Sequence, residues 1–218
     1  AQATALPRSA EPFLDEEVTS FEVGTKMGFF DQKAFLNLAY FHNKYDDIQL
    51  SVFTSYDSNG DGVEDAFFGD FTNAGKGTVE GFELEYQLLP TEHWLISGNL
   101  AWLDARYDTY MFKNVNIADQ QEFTNAPEFS GALNAEYRVD LGGGGSLSAR
   151  VGYSYQSRVV ATTEVVRDPV TLATVQPIPQ DGYGLLGAGI IWKANDAWTV
   201  SLQGSNLADK AYRTTGYN

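Results

Sequence analysis

Apolar and polar residues alternate along much of this chain with a period of two, the pattern of a β-strand whose two faces meet different media. Phe21, Val23, Thr25, Met27 and Phe29 share one parity against Glu22, Gly24, Lys26 and Gly28. Asp31 and Gln32 mark a tight turn. Residues 34–52 read as the returning strand, with Leu36, Leu38 and Tyr40 alternating; Phe35 and Phe41 fall on the other parity and leave its facing open. Residues 79–88 set Phe82, Leu84, Tyr86 and Leu88 against Gly81, Glu83, Glu85 and Gln87, and after a turn at 90–93 Trp94, Ile96, Leu100 and Trp102 oppose Ser97 and Asn99. The pair is a hairpin with two chemically different faces. The arrangement recurs at 129–139 with 147–155, and at 183–192 with 198–202. About eight strands result, and no segment between them has a helical period.

The connections alternate in length. Turns near Asp31, Pro90, Gly143 and Asn195 are short, whereas 53–77, 107–127 and 158–180 read as long loops. Long loops are rare in a compact sandwich, but an outer-membrane barrel has short periplasmic turns and long extracellular loops. The pattern therefore predicts an all-β, antiparallel, up-and-down transmembrane β-barrel. Aromatic residues support it: Phe29, Phe30, Trp94, Trp192 and Trp198 flank the short turns, and Trp102, Tyr107, Tyr110, Tyr155 and Tyr183 flank the long loops, as two interfacial girdles would.

Composition narrows the picture further. The chain has 218 residues, no cysteine and a formal charge of −15 with only 14 Lys and Arg, so disulfides and thiolate metal sites are excluded and nucleic acid is not an expected partner. No apolar run is long enough for a membrane-spanning helix, and the residues at the start lack the pattern of a signal peptide. Neither observation bears on a barrel, whose strands expose apolar residues only at every second position.

Several segments, in order, resemble TonB-dependent outer-membrane receptors. Residues 73–86, NAGKGTVEGFELEY, are similar to a strand that follows a long loop in that family. Asn125, Ala126 and Pro127 resemble its next loop-to-strand junction, and Asn206, Leu207, Ala208, Asp209, Lys210, Ala211 and Tyr212 resemble its penultimate-strand motif. The resemblance implies a C-terminal part of a barrel of roughly twenty-two strands, with the plug domain, the TonB-gripping segment and the last strand expected outside residues 1–218. It further implies TonB-energised uptake of a scarce small-molecule solute such as a ferric siderophore, in the outer membrane of a Gram-negative bacterium, with outer-membrane lipid, the protein's own plug and TonB as partners. A passive porin-like channel and a soluble Ca²⁺-binding adhesive or structural β-domain are the alternatives.

The sharpest local motif is DSNGDGVED. Asp57, Asn59, Asp61 and Asp65, with the Val63 carbonyl, supply oxygens suited to Ca²⁺, but the twelfth position is Phe68 where an EF-hand has glutamate, so a weak extracellular calcium loop and an acidic turn remain open. No cofactor is otherwise required. Gly182, Gly184 and Gly187 spell a dinucleotide fingerprint without the helix it needs, and Gly142 to Gly145 read as a turn. His42 and His93 have no partner at metal spacing, and no nucleophile motif is present, so no enzyme is expected. Glu83, Glu85, Asn99, Asn134, Glu136, Arg138, Arg150 and Gln156 are predicted to face the lumen, as plug or substrate contacts or as a polar lattice. Phe67, Phe68, Phe71, Tyr107, Tyr110, Phe112 and Arg158, in or beside the long loops, are the candidate ligand contacts.

Overall fold

The computed structural model describes residues 12–56, 60–62, 66–112, 114–161 and 178–214, less the side chains of 50–56, 66–72 and 74. The strands are β1 (Glu17–Phe29), β2 (Ala34–Tyr56), β3 (Ala66–Leu88), β4 (Trp94–Phe112), β5 (Val115–Asn116), β6 (Phe129–Gly142), β7 (Gly145–Gln156), β8 (Val159–Val160), β9 (Pro179–Gln180), β10 (Tyr183–Lys193) and β11 (Thr199–Gly204). The main sheet runs β1-β2-β3-β4-β6-β7-β10-β11, and every neighbouring pair along it is antiparallel. Each main strand pairs with the next in the chain, which is an up-and-down meander. Among the described residues the only helix is a 3₁₀ turn at Ala118–Gln120.

A one-residue slip of any strand would exchange its faces, so the register is what tests the alternation. It carries one parity across the sheet: Met27 pairs Leu36, Leu38 pairs Leu84, Leu84 pairs Leu100, Leu133 pairs Tyr153, Tyr153 pairs Leu186, and Ile190 pairs Leu202. The facing of β2 is thereby fixed, with Phe41 opposite Gly81 on the polar side. On the apolar face Leu100 is 56% exposed and Leu202 76%. Among the described residues the buried hydrophobic ones are few, namely Ala34, Ile48, Tyr110, Ile117, Val159 and Val160. There is thus no dry core beneath this face. A single layer that shows this much contiguous apolar surface needs an apolar solvent, which a bilayer supplies.

Short turns close one end of the sheet. Phe30, Asp31 and Gln32 all take positive φ, and Gly142, Gly143 and Gly144 do so at the β6–β7 turn, where glycine removes the steric cost. The Asn195 carboxamide oxygen accepts from the amides of Ala197 and Trp198. At this end Trp94 lies 4.9 Å from Tyr137, in a lower aromatic row with Trp192. At the other end Tyr40, Phe82 and Trp102 form a contiguous upper row, at 5.0 and 6.0 Å, continued by Phe129, which pairs with Trp102.

The upper girdle differs from its sequence-based membership. Tyr183 pairs with Gln156 and Tyr107 with Gly77, both on the polar parity, and Tyr110 is buried in a loop cluster, so these three are not lipid-facing. The residues expected as a loop at 53–77 also contain strand, because β2 continues to Tyr56 and β3 begins at Ala66. Similarly, β4 continues to Phe112, inside the expected loop 107–127. Crossing a bilayer takes about 9–11 residues of strand, but β2 and β3 have 23 each. The surplus stands outside hydrocarbon, where neither face needs to be apolar, so pairing persists while the alternation that reveals it fades.

Candidate functional site

On the polar face the register sets polar side chains of neighbouring strands side by side. Asn37 donates to the Glu85 carboxylate at 3.1 Å, and Glu85 pairs across the sheet with Asn99. Asn134 reaches over Gly152, where an added Cβ would lie 2.6 Å from its carboxamide oxygen. Glu136 pairs with Arg150, and the Arg150 and Gln203 side chains flank Gly189. Glu83, Arg138 and Gln156 occupy the same face, so all eight residues expected there share it. The wall is recessed in several places, two of which are the larger ones among the described residues. A cavity of about 400 Å³ is lined by Phe35, Asn37, Glu85, Gln87, Ser97, Asn99 and Asn134. A second, of about 350 Å³, lies among Glu136, Arg150 and Gln203. Carboxylate, amide and guanidinium groups face these recesses, so they suit a polar protein surface or a hydrated solute.

Above the upper aromatic row the outward face changes character within one register step. Glu80 accepts from the Tyr40 hydroxyl at 2.9 Å and from Arg106 at 3.2 Å, its carboxylate lies 3.0 Å from His42 Nδ1, and Arg106 also bonds Asp104. This network marks the edge of the hydrocarbon. Lys76 joins Asp46 on the surface nearby.

At the extracellular mouth the strand extensions carry a small core of their own. Tyr107 stacks on Phe123 at 4.2 Å and meets Tyr110 edge-on at 5.1 Å. Ile48, Tyr110 and Ile117 are its buried centre, with Tyr45, Phe112 and Ala118 around them. Phe123 packs over Gly77, where a Cβ would lie 2.9 Å from its ring. The Asn116 carboxamide oxygen accepts from the amides of Tyr110 and Ala118, which closes the loop. Burial raises the phenol pKa of both tyrosines, that of Tyr107 to about 12, at positions beyond the membrane-spanning part of β4.

Of the candidate ligand contacts, Tyr107, Tyr110 and Phe112 are brought together here. Tyr110, 1% exposed, supports the loop from within and presents no ring to solvent. Arg158 is engaged by Glu122 at 2.7 Å, which ties the segment after β7 to the segment before β6. Asn125 donates to the Val160 carbonyl beside that pair. The Phe67, Phe68 and Phe71 side chains lie outside the described residues, although their backbones belong to β3. Of the candidate Ca²⁺ residues, Asp57, Asn59, Val63 and Asp65 lie outside the described residues, and Asp61 is exposed between Gly60 and Gly62. Among the described residues no three His, Cys, Asp or Glu side chains are grouped to hold a metal ion.

Sequence reasoning missed several residues that shape the site. Asn73 exchanges hydrogen bonds with the Leu14 backbone at 2.7 and 2.9 Å and donates to the Asp47 carbonyl, pinning the segment before β1 to the β2 bulge. Its position at the head of the NAGKG string was the available signal. Asn206 accepts from the Lys210 amide and donates to its carbonyl, and Tyr212 stacks on Tyr183 at 4.5 Å. The Asn-Leu-x-Asp-Lys-x-Tyr string is thus a closed loop that ends on an aromatic clasp.

A family model described as TonB dependent receptor-like, beta-barrel, matches residues 2–207. The pesticin receptor of Yersinia enterocolitica is 25% identical over 210 residues, which is 95% of this chain and 27% of that protein. The crystal structure of the ferric yersiniabactin uptake receptor FyuA from Yersinia pestis superimposes with a TM-score of 0.69 at 20% identity, over 95% of this chain and 27% of that one. The ferric-catecholate import receptor Fiu from E. coli K12 gives 0.66 at 19% identity, over 99% and 27%. The chain therefore spans about a quarter of the length of the relatives it matches.

Proposed function

The chain belongs to the TonB-dependent receptor β-barrel family of the bacterial outer membrane, and from that premise we propose that it is wall and mouth of an importer for a scarce solute of the ferric siderophore class. The observation that carries this reading is the register: one parity across the main strands is apolar and exposed between two aromatic rows, and the other is a polar face recessed enough to receive a second surface. FyuA, a ferric yersiniabactin uptake receptor, and Fiu, a ferric-catecholate import receptor, support the solute class.

In this reading the plug domain rests on the lower polar face around Asn37, Glu85, Asn99 and Asn134, and its displacement, energised through TonB, opens a path along Glu136, Arg150 and Gln203. The solute is first met at the mouth, where Tyr107 and Phe123 form a rigid floor. The chain's own residues perform no covalent chemistry; they bind, orient and yield. Uptake of radiolabelled ferric siderophores by cells carrying the complete gene tests this. Accumulation that a protonophore abolishes is expected. Entry at an undiminished rate under the protonophore would instead mean a passive channel.

A further inference from the structure

The lipid-facing surface is not a smooth wall. Across β3, β4, β6 and β7 it holds an apolar groove of about 630 Å³, with Gly131 at the floor and Leu84, Leu100, Trp102, Phe129, Leu133 and Tyr155 around it. The cause is a thinning of the side-chain pattern: in the row that runs Leu84, Leu100, Gly131, Tyr155, the third position has no side chain, and Leu100 leans over it, so that a Cβ on Gly131 would lie 2.7 Å from Leu100 Cδ2. Hydrocarbon would otherwise have to leave a void here, which forfeits dispersion contacts on every lining atom.

We propose that the groove is a binding site for one acyl chain of an outer-leaflet lipid. The occupant follows from continuity, because the groove opens on the same face that the membrane reading places in hydrocarbon, on which this inference rests. The leaflet follows from depth. Leu100 and Trp102 belong to the upper half of the band that starts at Trp94, and the first charged row, Glu80 with Asp104, lies immediately above Trp102. A lipid in the facing leaflet puts its headgroup at that charged row and its chain beside Gly131. Inside a bilayer no hydrophobic drive favours one apolar surface over another, so the site holds its chain by shape and dispersion. The lipid is therefore held by fit and leaves more slowly than the chains around it.

The test uses the full-length protein reconstituted in vesicles of phosphatidylethanolamine and phosphatidylglycerol and released for native mass spectrometry. A Leu133→Trp variant fills the groove from its wall without touching the Gly131 backbone; Leu202→Trp places the same ring on the lipid face outside the groove. Retained lipid is expected on the wild type and on Leu202→Trp, and its loss on Leu133→Trp. No retained lipid on the wild type, equal retention by both variants, or a second copy of the chain in place of lipid would overturn the proposal. Quenching by bromine-bearing acyl chains of the extra fluorescence that Leu202→Trp introduces reports on the membrane reading separately. If that added indole is quenched while retention fails, the groove is wrong and the membrane reading stands; if it is not quenched, the membrane reading itself fails. Heat-modifiable migration on gels shows that each variant has folded.

Discussion

The same strands live under two regimes. Between Trp94 and Trp102, β4 keeps its parity, broken only by Leu95 on the polar side and Gly98 on the apolar side, with no core beneath it among the described residues; from Tyr107 to Phe112 it loses the alternation and packs around Tyr110 and Ile117. In the lower part the bilayer acts as the missing half of the core, so every outward position must be apolar and every inward one is free to be polar. In the upper part water lies on both sides, and the strands must bring their own apolar partners, which they take from the following loop. The register irregularities of β2, β3 and β4 fall at the boundary, at Tyr45/Ile48 and Ile48/Gln49 on β2 and Lys76/Gly77 on β3; the remaining one, at Asp140/Gly142, belongs to the short β6–β7 turn. A bulge re-aims side chains, and here it lets a sheet built for lipid become a sheet built for water.

The sharpest way to break the comparison is to exchange the two faces within the band. Leu100→Arg puts a guanidinium among lipid chains between the midplane and the upper interface and should cost the full-length protein about 1–3 kcal/mol of folding free energy. Ser130→Arg, one register row away on the lumen face, should cost far less. Urea titrations in vesicles measure both, and equal costs would mean that the two parities do not see different media.

The effect of substitution should be strictly local in the upper region. Phe123→Ala removes the ring stacked on Tyr107 and uncovers Gly77. The cluster is small and partly open to water, so the loss should be about 1–3 kcal/mol, below that of a fully buried phenylalanine. Hydrogen exchange should rise across 107–128 while the band from Trp94 to Trp102 keeps its protection. If the band loosens as well, the two regions are one cooperative unit.

These regimes also explain what could be read from the residues alone. Strand order, the facing of every main strand but β2, and the shared face of the eight residues expected at the lumen follow from period-two alternation, because lipid enforces it. Above the membrane that constraint ends: strand in the residues before Tyr56 and after Ala66 looked like loop, and Tyr110 looked like an exposed ligand contact although it is buried. Tyr107 and Tyr183 were placed in the girdle because an aromatic near a loop is compatible with either face, and only the register separates them. Asn73 and Asn206 were quoted as motif letters, but their hydrogen bonds reach backbone groups brought close by folding, Leu14 and Asp47 for Asn73 and Lys210 for Asn206, which no local period reports.

The gentlest probe of the upper region is alkaline pH. Burial holds the Tyr107 phenol neutral to about 12, against an ordinary value of 10.0, and pushes Tyr110 upward as well. When the loop opens, both phenols regain ordinary values and lose protons more readily than in the closed form. The closed loop therefore binds more protons than the open one between pH 10 and about 12, and linkage makes its stability fall as pH rises through that window. Below pH 10 both forms are protonated and the contribution is fully present. Tyrosinate absorbance should show late-titrating phenols that become ordinary in Phe123→Ala, while the charge-free aromatic row at Phe82 and Trp102 keeps its fluorescence throughout. Ordinary titration in the unaltered protein would mean that water already reaches the phenols, and that the mouth is an open loop with no core beneath it.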